Sequence, residues 1–111
     1  MPSSFGSKLS SAFNSYGQLC VGIDPHAALL SEWGLTDDVS GLREFSMRAL
    51  DAAVGRVGII KPQVSFFERH GAAGFAVLEE LAQKAASTDL VVIMDAKRGD
   101  IGTTMDAYFD A

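Results

Sequence analysis

Charged residues follow three short apolar runs in this sequence, and their types suit a reaction driven by charge. Asp24 follows the first run, Lys61 the second, and Asp95, Lys97 and Asp100 the third. In the spacing Asp-x-Lys-x-x-Asp, a lysine can lie between two carboxylates, which keep it charged and hold it as a proton donor, and Lys61 can extend the alternation of sign. A carboxylate substrate against Asp95 would be repelled until carbon dioxide leaves, while Lys97 would stabilise the carbanion. The pattern is therefore compatible with decarboxylation without a cofactor.

The apolar runs that precede these charges are predicted to be strands of a parallel sheet. They cover 19–23, 57–60 and 90–94, and they are continuous rather than alternating, which is typical of strands buried on both faces. Lys61 and Pro62 are expected to end the second strand, because proline cannot donate to a ladder. Cys20, inside the first run, is interpreted as a small buried apolar residue.

Helices are predicted before and between the strands from apolar residues three and four apart. An opening helix lies within 1–17, with Ser4 as its cap and Gly17 as its stop. The next helix begins near Thr36 and closes at Gly55, whereas the segment between it and the first strand is predicted to be a loop. A further helix covers 72–86, and another starts near 102. The apolar stripes of the two middle helices are Leu42, Phe45, Ala49 and Ala52, and then Phe75, Leu78, Leu81, Ala82 and Ala85.

This alternation of strands and helices predicts the α/β class, with right-handed crossovers. All carboxyl ends of a parallel sheet lie at one edge, so Asp24, Lys61 and Asp95 are expected to converge although they are far apart in sequence. With 111 residues, of which 48% are hydrophobic, the chain is expected to form one domain at most.

Several functional classes are disfavoured by the same sequence. A net charge of −5 gives no general footprint for nucleic acid. No apolar stretch is long enough to span a membrane and no secretory signal is found, so a soluble cytoplasmic protein is expected. His26 and His70 lack partners at metal-ligand spacing, and the glycines do not form a dinucleotide or phosphate loop. We therefore predict neither a metal nor a cofactor, and we interpret Phe66 and Phe67 as core and Arg69 as solvated or locally paired.

Three motifs resemble the orotidine 5'-phosphate decarboxylase family, especially its longer bacterial branch. They occur in the family's order, each at a predicted strand end, and the resemblance runs from about Leu19 to the last residue. It implies a TIM (β/α)8 barrel and the conversion of orotidine 5'-phosphate to uridine 5'-phosphate in pyrimidine biosynthesis. The motifs are Gly22-Ile23-Asp24-Pro25, Lys61-Pro62-Gln63-Val64-Ser65-Phe66-Phe67-Glu68 and Met94-Asp95-Ala96-Lys97-Arg98-Gly99-Asp100-Ile101-Gly102-Thr103-Thr104.

The resemblance also implies a role for each matching residue. Lys97 would be the proton donor to the carbon that loses carbon dioxide, and Asp95 would face the substrate carboxylate. Lys61 would orient Asp95 and contact the ribose, and Asp24 would bind a ribose hydroxyl.

Residues further along the third motif are implied to act across a homodimer interface. There, Asp100 would complete the partner's site together with Ile101 and Thr104.

A whole barrel of this type takes about 250 residues, so residues 1–111 are expected to be the N-terminal portion of one, with 1–17 as a helix and 19–111 as about three βα units. In this family, loops after later strands bind the phosphate and the pyrimidine of the substrate. Because the 111 residues do not include these loops, we expect them to be inactive on their own.

Two alternatives remain open at this point. One is a magnesium-dependent sugar-phosphate decarboxylase or aldolase of the same barrel group, against which the segment from Lys61-Pro62 to Phe66-Phe67-Glu68 argues. The other is a non-catalytic half-barrel module that only associates with a partner or with itself. A purely structural role is hard to reconcile with the set Lys61, Asp95, Lys97 and Asp100, because such charges cost stability unless they are well paired.

Overall fold

The computed structural model describes residues 4–96, which form a three-stranded parallel sheet flanked by helices. The strands lie in the order β1, β2, β3. In chain order the elements are α1 Phe5–Tyr16, β1 Cys20–Ile23, α2 Ala27–Glu32, α3 Val39–Ala53, β2 Ile59–Pro62, α4 Ser65–Glu68, α5 Gly71–Ala86 and β3 Val91–Val92.

The three strands are those predicted, and their pairing extends further along the chain than expected. Lys61 and Pro62 are the last two residues of β2, so the strand ends there as predicted. The carbonyl of Pro62 still accepts a hydrogen bond, of 3.0 Å, from the amide of Asp95, and the ladder loses only the donor that proline lacks. Beyond β3, Gln63 and Asp95 form a further parallel bridge. The register between β2 and β3 is thus maintained up to Asp95.

One face of the sheet is buried against the crossover helices α3 and α5. Leu42 and Leu81 are fully buried in this layer, where they meet Ile23 and Ile60 of the strands. Burying a leucine side chain of this kind stabilises a fold by about 1.5–3 kcal/mol. This layer fixes the positions of the strands relative to each other.

The other face is partly covered by the opening helix α1. Ser4 accepts a hydrogen bond of 3.1 Å from the amide of Ser7, and Gly17 follows the helix at φ +81°, as predicted. Ala12 of α1 packs against Ile59 and Val91. Gly58 permits this close approach because it has no side chain. A Cβ at this position would lie only 2.9 Å from that of Ala12. Helix α1 therefore covers the amino-terminal end of this face.

Two interpretations of the first strand and the loop after it were wrong. Cys20 is exposed rather than buried, because β1 is an edge strand of the described sheet and α1 lies over β2 and β3 instead. The segment predicted to be a loop contains helix α2, in which Leu30 is fully buried. Its cap is His26, whose Nδ1 accepts a hydrogen bond of 3.1 Å from the amide of Leu29, a residue type that the usual capping preferences do not favour.

Helix α3 begins slightly later than predicted. Asp38, rather than Thr36, is the cap and accepts a hydrogen bond of 2.9 Å from the amide of Gly41, while the hydroxyl of Thr36 donates to the same carboxylate. These bonds lower the pKa of Asp38. In the predicted stripe of this helix, Ala52 is exposed and Ala53 is buried in its place.

Helix α5 buries part of its predicted apolar stripe, but the buried face is rotated away from Phe75. Phe75 is 43% exposed, whereas Gly74 and Val77 are buried with the predicted Leu78, Leu81 and Ala85. The cause lies at Gly74, where any side chain would overlap the carbonyl of Phe67. The close approach of α4 at this glycine rotates Phe75 outwards. Within residues 4–96, no helix is long and apolar enough to cross a membrane.

Candidate active site

The polar residues at the carboxyl ends of the strands share the face that α1 covers at its other end. Side chains alternate along a strand, so Ile59, Lys61 and Gln63 point to one side. The register pairs Lys61 with Gly22 and Gln63 with Asp95, which places Asp24 and Asp95 on that same side. The sheet therefore carries its charged residues beyond the apolar patch under α1.

Lys61 and Asp95 meet in an ion pair across β2 and the end of β3. The Nζ of Lys61 lies 3.7 Å from the Oδ2 of Asp95, and the two side chains are 44% and 19% exposed. The main chain of Asp95 is held on both sides, since its amide donates to Pro62 and its carbonyl accepts from Val64, each at 3.0 Å. The carboxylate of Asp95 is thus attached to a fixed backbone and points towards Lys61, whose side chain is still open to solvent.

Asp24 occupies the neighbouring strand end, in a turn with little freedom. Its carbonyl accepts a hydrogen bond of 2.7 Å from the amide of His26, and the side chain of the intervening Pro25 is fully buried. The carboxylate folds back towards Gly22, where a Cβ would lie 3.1 Å from Oδ1. Asp24 itself is exposed. The structure therefore brings Lys61 and Asp95 together and leaves Asp24, with its exposed side chain, at the neighbouring strand end on the same face.

Phe66 and Phe67, which the sequence predicted to be core residues, lie in the segment after β2 and differ in burial. Phe67 is fully buried, as predicted, whereas Phe66 is partly buried and its ring centroid lies 5.9 Å from that of His26. Gln63, for which no role was predicted, forms a parallel β-bridge with Asp95 through the backbone. The signal for Gln63 was its spacing of two from Lys61, which places both on one face of a strand.

The remaining predicted site residues, Lys97, Asp100, Ile101 and Thr104, lie outside the described residues. In the part that is described, no group of three or more His, Cys, Asp or Glu could hold a metal ion. His26 and His70 are the N-terminal cap residues of α2 and α5. The chemistry that the described geometry supports is electrostatic: a fixed carboxylate repels a second carboxylate, and a neighbouring ammonium attracts hydroxyl and anionic oxygen.

Comparison with known proteins identifies the family. Residues 17–111 match the model of the Orotidine 5'-phosphate decarboxylase / HUMPS family. The chain belongs to this family. Curated relatives named orotidine 5'-phosphate decarboxylase include one from Streptomyces coelicolor, which is 55% identical over 96% of this chain and 38% of its own length. A second, from Corynebacterium glutamicum, is 52% identical over the same shares.

The family's fold is also found in the structure. A crystal structure of a Streptomyces avermitilis protein, to which the same enzyme name is assigned, matches with a TM-score of 0.83 and 55% identity, over 96% of this chain and 37% of that one. The α/β class and the barrel predicted from sequence are thereby confirmed, with the described strands and helices forming part of a TIM barrel. The chain spans about 38% of the length of the orotidine 5'-phosphate decarboxylases that it matches.

Proposed function

We propose that this chain is part of an orotidine 5'-phosphate decarboxylase that makes uridine 5'-phosphate in pyrimidine biosynthesis, without a metal or cofactor. The observation that carries the proposal is the Lys61–Asp95 ion pair at the carboxyl ends of the parallel strands. Barrel enzymes place their active sites at this end. Asp24 on the same face and the names of the curated relatives add support.

Asp95 would act on the substrate through charge. Its backbone is fixed by hydrogen bonds to Pro62 of β2 and to Val64, so it cannot readily move away from an incoming carboxylate. Two negative charges held close together repel each other, and the repulsion disappears when the substrate carboxylate leaves as neutral carbon dioxide. The interaction therefore favours the transition state over the bound substrate.

Lys97 would complete the reaction by donating a proton. When the bond to the carboxylate carbon breaks, its electron pair stays on the pyrimidine carbon, and an ammonium group nearby stabilises that charge. Transfer of one proton from Lys97 then gives uridine 5'-phosphate and a neutral amine. In the motif, Asp95 and Asp100 flank this lysine, and carboxylate neighbours favour its charged form.

The other matching residues would bind the nucleotide and complete the assembly. Lys61 would orient Asp95 and contact the ribose, and Asp24 would accept a hydrogen bond from a ribose hydroxyl. In a cytoplasmic homodimer, Asp100, Ile101 and Thr104 would reach the partner's site.

The test is turnover by the complete protein. Orotidine 5'-phosphate is supplied together with a chelator, and the formation of uridine 5'-phosphate and carbon dioxide is measured. We expect turnover that the chelator does not reduce and that Lys97→Ala abolishes. Failure to consume the substrate would refute the proposal, and loss of turnover on chelation would instead favour the magnesium-dependent sugar-phosphate enzymes.

A further inference from the structure

Arg69 joins the end of α4 to two loops that lie far from it in sequence. Its Nη2 is 2.6 Å from Oδ1 of Asp37, and its Nη1 is 3.4 Å from the other carboxylate oxygen. The same Nη2 lies 3.5 Å from the carbonyl oxygen of Pro25. Hydrogen bonding to Arg69 lowers the pKa of Asp37, which favours the charged form of this carboxylate. Arginine is suited to this double role because its planar group carries five N–H donors in a fixed arrangement.

The turn that Arg69 contacts is the one that presents Asp24. Pro25 directly follows Asp24, and the next residue, His26, packs its ring against Phe66 of α4. Both residues after Asp24 are therefore in contact with α4 or with the residue that ends it. The turn that carries the exposed Asp24 is therefore held by contacts with the segment that follows β2.

The same segment is tied to the third strand. Directly before α4, the amide of Val64 donates a hydrogen bond of 3.0 Å to the carbonyl of Asp95, and the amide of Glu68 donates one to the carbonyl of Val64. The short stretch from Lys61 to Arg69 thus connects Asp24, Lys61 and Asp95. This stretch is therefore in contact with the carboxyl ends of β1 and β3 as well as following β2.

We propose that Arg69 is a positioning residue for nucleotide binding, which acts by holding the Asp24 turn against α4. The proposal rests on the proposed function, since it takes Asp24 to be the ribose acceptor. The hydrogen bonds of Arg69 go to Asp37 and Pro25, and we therefore expect its loss to displace the Asp24 turn more than the Lys61–Asp95 pair. Displacements of about 1 Å at a positioned group are sufficient to change binding or rate measurably.

The first experiment compares Arg69→Met with the wild type in the complete protein. We expect KM for orotidine 5'-phosphate and Kd for uridine 5'-phosphate to rise about five- to tenfold, while kcat changes less than about twofold. Arg69→Lys keeps the charge for Asp37 without the second donor and should give intermediate values. A Kd and KM unchanged from the wild type would overturn the proposal.

Arg43 provides the matched control for a purely structural effect. It donates two hydrogen bonds, of 2.8 and 2.6 Å, to Glu80. This bidentate ion pair joins α3 to α5, as the Arg69–Asp37 pair joins two distant segments. Arg43→Met should therefore cost comparable stability without raising KM. Equal rises in KM for Arg43→Met and Arg69→Met would show that Arg69 is structural only.

A double-mutant cycle with Asp24→Asn tests whether Arg69 acts through that residue. If it does, Arg69→Met should raise Kd by less than about twofold once Asp24 is replaced, because coupled residues are not additive. Full additivity would overturn the proposal. Should Arg69→Met fail to fold, Asp37→Asn replaces it in the cycle, with the same expectation. Absence of turnover by the wild type would refute the proposed function, whereas turnover with unaltered KM in the variants would refute only the role of Arg69.

Discussion

Replacing Lys61 with methionine removes the positive charge beside Asp95 and keeps most of the side-chain volume. At the observed separation of 3.7 Å, the attraction between the two charges is about 1 kcal/mol in bulk water and about 4 kcal/mol near a protein surface. Because Lys61 is 44% and Asp95 19% exposed, solvent weakens the attraction and we take about 1.5–2.5 kcal/mol. If the attraction holds Asp95 in its reactive position, kcat/KM for orotidine 5'-phosphate should fall about ten- to seventyfold.

The control for this prediction is Lys84→Met. Lys84 also pairs with a carboxylate, since its Nζ lies 3.6 Å from Oε2 of Glu80, and its side chain is 51% exposed. It lies in the last turn of α5, just before the amino-terminal end of β3 and not at the carboxyl ends of the strands. Its replacement should leave kcat/KM within about twofold of the wild type, as exposed pairs contribute little. Steady-state kinetics of the complete protein, followed by the loss of orotidine 5'-phosphate, gives both values. A decrease for Lys61→Met no larger than that for Lys84→Met would refute the reasoning.

Two further predictions concern stability. Gly58→Ala places a Cβ 2.9 Å from that of Ala12 and should lower the free energy of unfolding in urea by about 1–3 kcal/mol; an unchanged value would contradict the packing of α1. Asp38→Ala removes the cap of α3 and should destabilise at neutral pH. Since folding lowers the pKa of Asp38, the contribution of its charge is present above the unfolded pKa and is lost as the pH falls through the folded one. The difference between wild type and variant should therefore shrink in acid, and a difference that grows would contradict the cap.

The strands and the convergence of Lys61 and Asp95 could be predicted because both depend on local pattern. Continuous apolar runs mark buried strands, and the common direction of parallel strands brings their ends to one edge. The end of β2 at Pro62 could also be predicted, because proline lacks the amide donor. The hydrogen bond that Pro62 still accepts could not. Only the register shows that its carbonyl, and not its missing amide, faces Asp95.

Other features depended on contacts between distant residues, which periodicity does not encode. Phe75 fits an apolar stripe, but the overlap that a side chain at Gly74 would make with α4 decides which face of α5 is buried. Helix α2 is too short for a periodic signal, and its cap is a histidine. The pairing of Arg69 with Asp37 joins residues 32 apart, so composition alone suggested no more than a local partner.

The central claim is that the fixed carboxylate of Asp95 drives the loss of carbon dioxide, and Asp95→Asn in the complete protein tests it most directly. The change removes the charge and keeps the shape of the side chain. We predict that kcat falls about a hundredfold or more, while uridine 5'-phosphate, which lacks the carboxylate, binds with a Kd within about threefold of the wild-type value. A variant that retains the wild-type kcat would contradict the account.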